Sequence, residues 1–123
     1  MKIYLAGPMR GYPKLNFPAF HAAAAKLRAQ GFEVFSPAEK GEEILAITDP
    51  AKQHDLDFRR LVFSIDTGYI CKNADAVALL PGWEQSAGAR CERAVAEAIG
   101  LTVIILGTEY QNVTANQKLA LLS

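Results

Sequence analysis

Short apolar runs alternate along the chain with longer stretches in which apolar residues recur every three or four positions. A short apolar run is typical of a buried strand, and the longer spacing is typical of a helix with one buried face. The pattern predicts strands at residues 3–6, 33–36, 75–80 and 101–106, and helices at residues 17–29, 54–73, 89–99 and 114–122. Residues 38–52 carry mixed signals and receive no assignment.

Strands that alternate with helices predict a parallel sheet with right-handed crossovers. We therefore expect a small three-layer, doubly wound α/β fold of the flavodoxin or Rossmann-like kind, with four to five strands and helices on both faces. The strand at residues 101–106 is nearly all apolar, which favours a central position covered on both faces. A length of 123 residues fits one domain, residues 1–123.

Composition narrows the classes of function. A chain that is 50% hydrophobic and 21% charged is not typical of disorder. Its 13 basic residues are balanced by 13 acidic ones, which argues against binding a nucleic-acid polymer. No apolar run approaches the length of a membrane span, and the first residues do not resemble a signal peptide. We expect a cytoplasmic protein with a small-molecule ligand and no membrane contact.

The two cysteines and the metal-ligating residue types indicate no metal and no cofactor. Cys71 and Cys91 are too far apart for a metal knuckle or a CxxC redox pair, and their apolar surroundings predict buried free thiols. No set of His, Cys and carboxylate residues has the spacing of metal ligands.

Two loops should lie at the carboxyl edge of the sheet, where parallel α/β sheets bind ligands. The first contains Gly7, Met9, Arg10 and Gly11, in which the glycines allow close approach to a ligand and Arg10 can grip a phosphate. The sequence also fits an ordinary turn with a solvated arginine.

The second loop, residues 81–88, opens a helix. Ser86 and Gly88 stand where free N–H groups favour an anion, although Ser86 also fits a plain N-cap. Trp83 can either stack on a base or cover the sheet.

Three further side chains are candidates for chemistry. On a helical wheel Cys91, Ala94, Val95 and Ala98 centre the buried face of their helix, and Glu92 lies at its edge. The helix dipole should keep Glu92 ionised while apolar neighbours partly desolvate it, as a nucleophile or base requires. The alternative is a surface glutamate.

Aspartate is unfavourable in a helix interior, so Asp66 indicates a functional role, although it also fits a solvent-facing position. Tyr4 lies within the first strand and can either reach an acidic group or belong to the core.

Taken together, these residues resemble the nucleoside 2-deoxyribosyltransferase-like superfamily, and within it the nucleotide N-hydrolase branch. The resemblance rests on Tyr4 to Gly11, on the strand at residues 74–80, on Ser86, Gly88 and Glu92 at their spacing, and on residues 96–104. The sequence of residues 80–84 resembles that of a small phage and bacterial subgroup of this superfamily.

The resemblance implies a role for each residue. Glu92 would be the nucleophile that attacks the anomeric carbon, Tyr4 would orient it, and Asp66 would be the acid for the departing base. Arg10, Ser86 and the backbone near Gly7 and Gly88 would hold a 5'-phosphate. Superfamily members complete their sites across subunits, which implies a homodimer.

Two departures from the hydrolase pattern and one from the transferase pattern bear on these roles. Pro8 stands where the hydrolases carry a phosphate-binding serine. Asp66 lies nine residues before Asp75 instead of eight, so that either the helix carries a bulge or another residue is the acid. Ser86 replaces an aspartate common in the transferases, which favours a nucleotide substrate.

The sequence therefore predicts an enzyme that hydrolyses the N-glycosidic bond of a nucleoside 5'-monophosphate through a glycosyl ester on Glu92. The alternatives are base exchange between nucleosides, a nucleotide-sensing module without turnover, and a small α/β domain that binds a protein partner.

Overall fold

The computed structural model describes residues 1–111, and the helix predicted at residues 114–122 lies outside them. The strands are β1 (Lys2–Ala6), β2 (Glu33–Phe35), β3 (Ala76–Leu79) and β4 (Thr102–Ile105). The helices are α1 (Phe17–Ala29), α2 (Pro37–Ile47), α3 (Leu56–Lys72) and α4 (Ala87–Ile99). The helix α2 fills most of the stretch that received no assignment.

All four strands are parallel and stand in the order β2-β1-β3-β4. The predicted doubly wound α/β fold is confirmed. The chain connects β1 to β2 on one side of β1, and β3 later adds on the other side. The crevice at the carboxyl ends of β1 and β3 is therefore the topological switch point. Ligands of such sheets bind in the crevice at this point.

Alternate residues of β1 serve two separate cores. Ile3 and Leu5 pack against α1 in one apolar cluster. Tyr4 and Ala6 lie on the opposite face, in a second cluster with residues of α3 and α4. The strand is therefore apolar at every buried position because helices cover both of its faces.

The central position expected for the last strand is wrong. Within residues 1–111, β4 is an edge strand that pairs only with β3, and 60% of Ile105 is exposed. An apolar sequence indicates that a segment forms a strand, but it does not determine the position of that strand in the sheet, which depends on the crossover connections.

The burial expected for the cysteines and for one face of α4 is also wrong. Cys71 and Cys91 are free, as expected, but both are exposed. The buried residues of α4 are Ala89, Glu92 and Ala96. Glu92 consequently lies inside the buried stripe and not at its edge.

Among residues 1–111, no helix is both long enough and apolar enough to cross a membrane.

Candidate functional site

A tyrosine and two carboxylates meet beneath the switch point. Tyr4 in β1 is fully buried, and its hydroxyl donates a hydrogen bond of 2.5 Å to Glu92 Oε2 in the second turn of α4. Asp66 in α3 faces the same hydroxyl. Only 6% of Glu92 and 7% of Asp66 is exposed. Three elements far apart in sequence thus bring together the three residues predicted to be catalytic.

Burial dominates the ionisation of both carboxyl groups. Desolvation raises the pKa of Glu92 to about 8, while the hydrogen bond from Tyr4 lowers it and the charge of Asp66 raises it further. Desolvation likewise raises the pKa of Asp66 to about 6, against the lowering effect of Tyr4. The expectation that the helix dipole keeps Glu92 ionised is therefore wrong, because the cost of burial exceeds it.

The helix α3 carries no bulge, which excludes the first of the two explanations for the nine-residue spacing between Asp66 and Asp75. It is a continuous α-helix from Leu56 to Lys72. Asp66 and Ile70 are its two buried residues, one helical turn apart. Asp66 points inward at the observed spacing without any local distortion, so the nine-residue spacing does not by itself transfer the role of the acid to another residue.

An aromatic stack borders the carboxylates on the β2 side. Tyr4 and Phe35 are neighbours across the sheet, with ring centroids 5.6 Å apart. Tyr69, one turn beyond Asp66, stacks on Phe35 at 4.4 Å. Phe35 and Tyr69 were not predicted as site residues, because the pairing of Tyr4 with Phe35 depends on strand register, which local patterns do not contain.

The loop after β1 brings the backbone close to β3. A Cβ added to Gly7 would lie 2.8 Å from Leu80 Cβ, so only glycine fits there. Gly11 has a φ of 82°, which also favours glycine. Arg10 is exposed and makes no ion pair with any residue of the described chain, whereas Met9 packs against the core on the α1 side. The structure thus leaves Arg10 available to a ligand and directs Met9 elsewhere.

A side-chain hydrogen bond joins the loop after β3 to the start of α4. Ser86 is the N-cap of α4, and its Oγ accepts a hydrogen bond of 3.2 Å from the Ala89 N–H. The hydroxyl proton of Ser86 is not used in this bond and can be donated to a ligand. Gly88 lies in the first turn of the same helix.

Trp83 packs against the cluster that contains Tyr4, and the Arg93 guanidinium covers its ring at 4.7 Å. This cation–π contact supports the interpretation in which Trp83 covers the sheet. Ser36 is a further residue not predicted, with a buried hydroxyl that lacks a hydrogen-bond partner among residues 1–111.

No group of three or more metal-ligating side chains occurs in the part of the chain that the structure describes.

A solved structure of the 2-deoxyribosyltransferase from the psychrotolerant bacterium Bacillus psychrosaccharolyticus is similar to this chain, with a TM-score of 0.63 and 24% sequence identity. The similarity covers 95% of this chain and 80% of that protein. At this level of identity the similarity shows a shared fold, which is the fold that the resemblance to the nucleoside 2-deoxyribosyltransferase-like superfamily implies.

The chain belongs to the DUF4406 family, a domain of unknown function, which matches residues 1–105. That span includes every residue of the candidate site described above. None of the curated proteins compared with the chain matches it.

Proposed function

We propose that this protein transfers the sugar of a nucleoside by cleaving its N-glycosidic bond, with Glu92 as the nucleophile. The observation that carries the proposal is the pair of buried carboxylates around the Tyr4 hydroxyl, at the switch point of the sheet. The fold shared with a 2-deoxyribosyltransferase supports the same chemistry.

The two steps balance on the residues present. A carboxylate oxygen of Glu92 forms a bond to the anomeric carbon while the bond from that carbon to the base breaks, and the base leaves with the electron pair and a proton from Asp66. An acceptor then gives up a proton to the Asp66 carboxylate and forms a bond to the anomeric carbon, while the bond from that carbon to Glu92 breaks and frees the Glu92 carboxylate. The hydrogen bond from Tyr4 stabilises that carboxylate before and after the reaction.

The acceptor in this proposal is a second base, because the similar solved structure is named as a transferase. Hydrolysis of a nucleoside 5'-monophosphate is the second candidate. It is favoured by Arg10, which has no ion-pair partner among residues 1–111, and by the neutral Ser86 at the start of α4. A homodimer and a cytoplasmic location remain predictions.

The assay that separates these reactions uses 2'-deoxynucleosides and their 5'-monophosphates, each with and without an added free base. Chromatography should detect a new nucleoside when the acceptor base is present. Base release that needs no acceptor and is confined to the monophosphates would favour hydrolysis. Tight binding without any bond cleavage over long incubation would overturn both candidates in favour of a sensing module.

Replacing Tyr4 with Phe should shift both limbs of the pH–rate profile upward by roughly 1 to 2 pH units, because the hydrogen bonds from Tyr4 that lower the pKa of Glu92 and of Asp66 are lost. The reaction needs an ionised Glu92 and a protonated Asp66, a pair that holds one proton, so the rate at pH 7 should fall ~2- to 10-fold as the acid limb rises from about pH 6. The measurement is kcat/KM against pH from 5 to 10.

The matched control is Tyr110→Phe, which removes a hydroxyl that accepts a hydrogen bond from Gln30 outside the site and leaves the bond to Glu92 intact. Its profile should overlay that of the unmodified protein. Overlap of the Tyr4→Phe profile as well would show that the hydroxyl does not set the ionisation of the nucleophile.

A further inference from the structure

Tyr12 bridges the two loops that border the candidate site. It lies in the loop after β1, and 41% of the residue is exposed. A Cβ added to Gly82, in the loop after β3, would lie 2.8 Å from the Tyr12 hydroxyl and 3.2 Å from Pro8 Cγ. The hydroxyl therefore sits across the gap between the two loops, beside the proline that replaces an expected serine.

The Tyr12 hydroxyl makes no hydrogen bond with any residue in the range 1–111. A phenol hydroxyl can donate one hydrogen bond and accept another. Its donor capacity is thus available to a ligand that enters between the loops.

The loop around Tyr12 is held in a defined shape. The Asn16 side-chain amide donates a hydrogen bond of 2.9 Å to the Pro8 carbonyl, and the Leu15 N–H donates one of 3.0 Å to the Tyr12 carbonyl. Lys14, Leu15 and Asn16 all have left-handed backbone angles, with φ between 53° and 60°. Each costs about 1 kcal/mol, and such conformations persist only where the surrounding contacts impose them.

The order of the strands fixes which end of a substrate approaches Tyr12, if the proposed function holds. Asp66, the acid for the departing base, is on α3, and the same helix stacks Tyr69 on Phe35 of β2. The base therefore lies toward β2. Because β3 flanks β1 on the opposite side, the C5' end of the sugar points toward the loops that carry Tyr12 and Ser86.

We propose that the Tyr12 hydroxyl donates a hydrogen bond to the oxygen carried on C5' of the substrate, and so supplies the hydroxyl that Pro8 lacks. This oxygen belongs to a free 5'-hydroxyl in a nucleoside and to a phosphate in a nucleotide. The proposal rests on the proposed function and adds a binding residue specific to the C5' group.

The test compares Tyr12→Phe with the unmodified protein on three substrates: a 2'-deoxynucleoside, its 5'-monophosphate and its 5'-deoxy analogue. KM should rise about tenfold for a substrate that carries the recognised oxygen, with kcat within about twofold, because the bond is made equally before and during reaction. The 5'-deoxy analogue should show no change. A rise confined to the monophosphate assigns the phosphate, and one confined to the nucleoside assigns the hydroxyl.

An equal change for all three substrates, or no change for any, would overturn the proposal. Tyr110→Phe is the matched control, since its hydroxyl accepts a hydrogen bond from Gln30, at a distance of 3.1 Å, away from these loops. If the unmodified protein turns over no substrate, calorimetric titration of the same three ligands replaces kinetics. Weaker binding of the ligands with a C5' oxygen to Tyr12→Phe would then support the assignment of Tyr12 while the proposed function fails.

Discussion

Replacement of Glu92 by Gln should lower the rate of base release at least ~10³-fold, because an amide oxygen is a far weaker nucleophile than a carboxylate. Gln has nearly the same shape and can still accept the hydrogen bond from Tyr4, so that the site keeps its geometry. The rate should be measured under single-turnover conditions with the best substrate found in the assay.

Intact-mass spectrometry of the quenched reaction provides a second measurement. The unmodified protein should gain the mass of one glycosyl group, and Glu92→Gln should gain none. Glu43→Gln is the matched control, since Glu43 is an exposed residue of α2 that pairs with Lys40 at the surface. Turnover by Glu92→Gln at the rate of Glu43→Gln would remove Glu92 from the mechanism.

The same Glu92→Gln substitution should stabilise the protein at neutral and alkaline pH. The folded pKa of about 8 lies above the ordinary value of 4.5, so the fold favours the protonated carboxyl group. The stability that this preference contributes is present in full below pH 4.5 and is lost as the pH rises to about 8. Gln does not ionise, and at pH 8 the variant should exceed the unmodified protein by about 4 kcal/mol in free energy of unfolding.

Urea denaturation at pH 5, 6, 7 and 8 measures this difference. Asp66, with a pKa of about 6, adds its own loss of stability between about pH 3.8 and 6 in both proteins. Between pH 6 and 8 the unmodified protein should therefore lose stability faster than Glu92→Gln. Parallel curves over that interval would contradict the burial of an ionisable Glu92, and Glu43→Gln should follow the unmodified protein throughout.

Much of the fold follows from local patterns. The helix at residues 17–29 was predicted at its observed bounds because its apolar spacing is regular and Gly31 follows it. The face of α4 was mispredicted for a physical reason. Its apolar residues are mostly alanines, which are tolerated on either face, while one of its three buried positions belongs to a glutamate whose hydrogen-bond partner lies 88 residues away.

The candidate site was likewise only partly predictable from the sequence. Local patterns place Glu92, Asp66 and Tyr4 on their elements, but their convergence depends on how α3 and α4 pack on β1. That convergence was expected through the resemblance alone. The positions of Tyr12 and Phe35 depend on contacts between separate loops and strands, and no feature of either residue's own neighbourhood in sequence indicates them.

The Tyr4 hydroxyl lies between two carboxyl groups and has one proton to donate, so a proton can pass between Glu92 and Asp66 without a change in the net charge of the site. Near pH 7 the two carboxyl groups together hold about one proton, given their pKa values of about 8 and 6. In the proposed mechanism, moving that proton from Glu92 to Asp66 through the intervening phenol activates the nucleophile and the acid together, with the total charge unchanged. The affinity of such a pocket for a neutral substrate should therefore vary little with pH around neutrality.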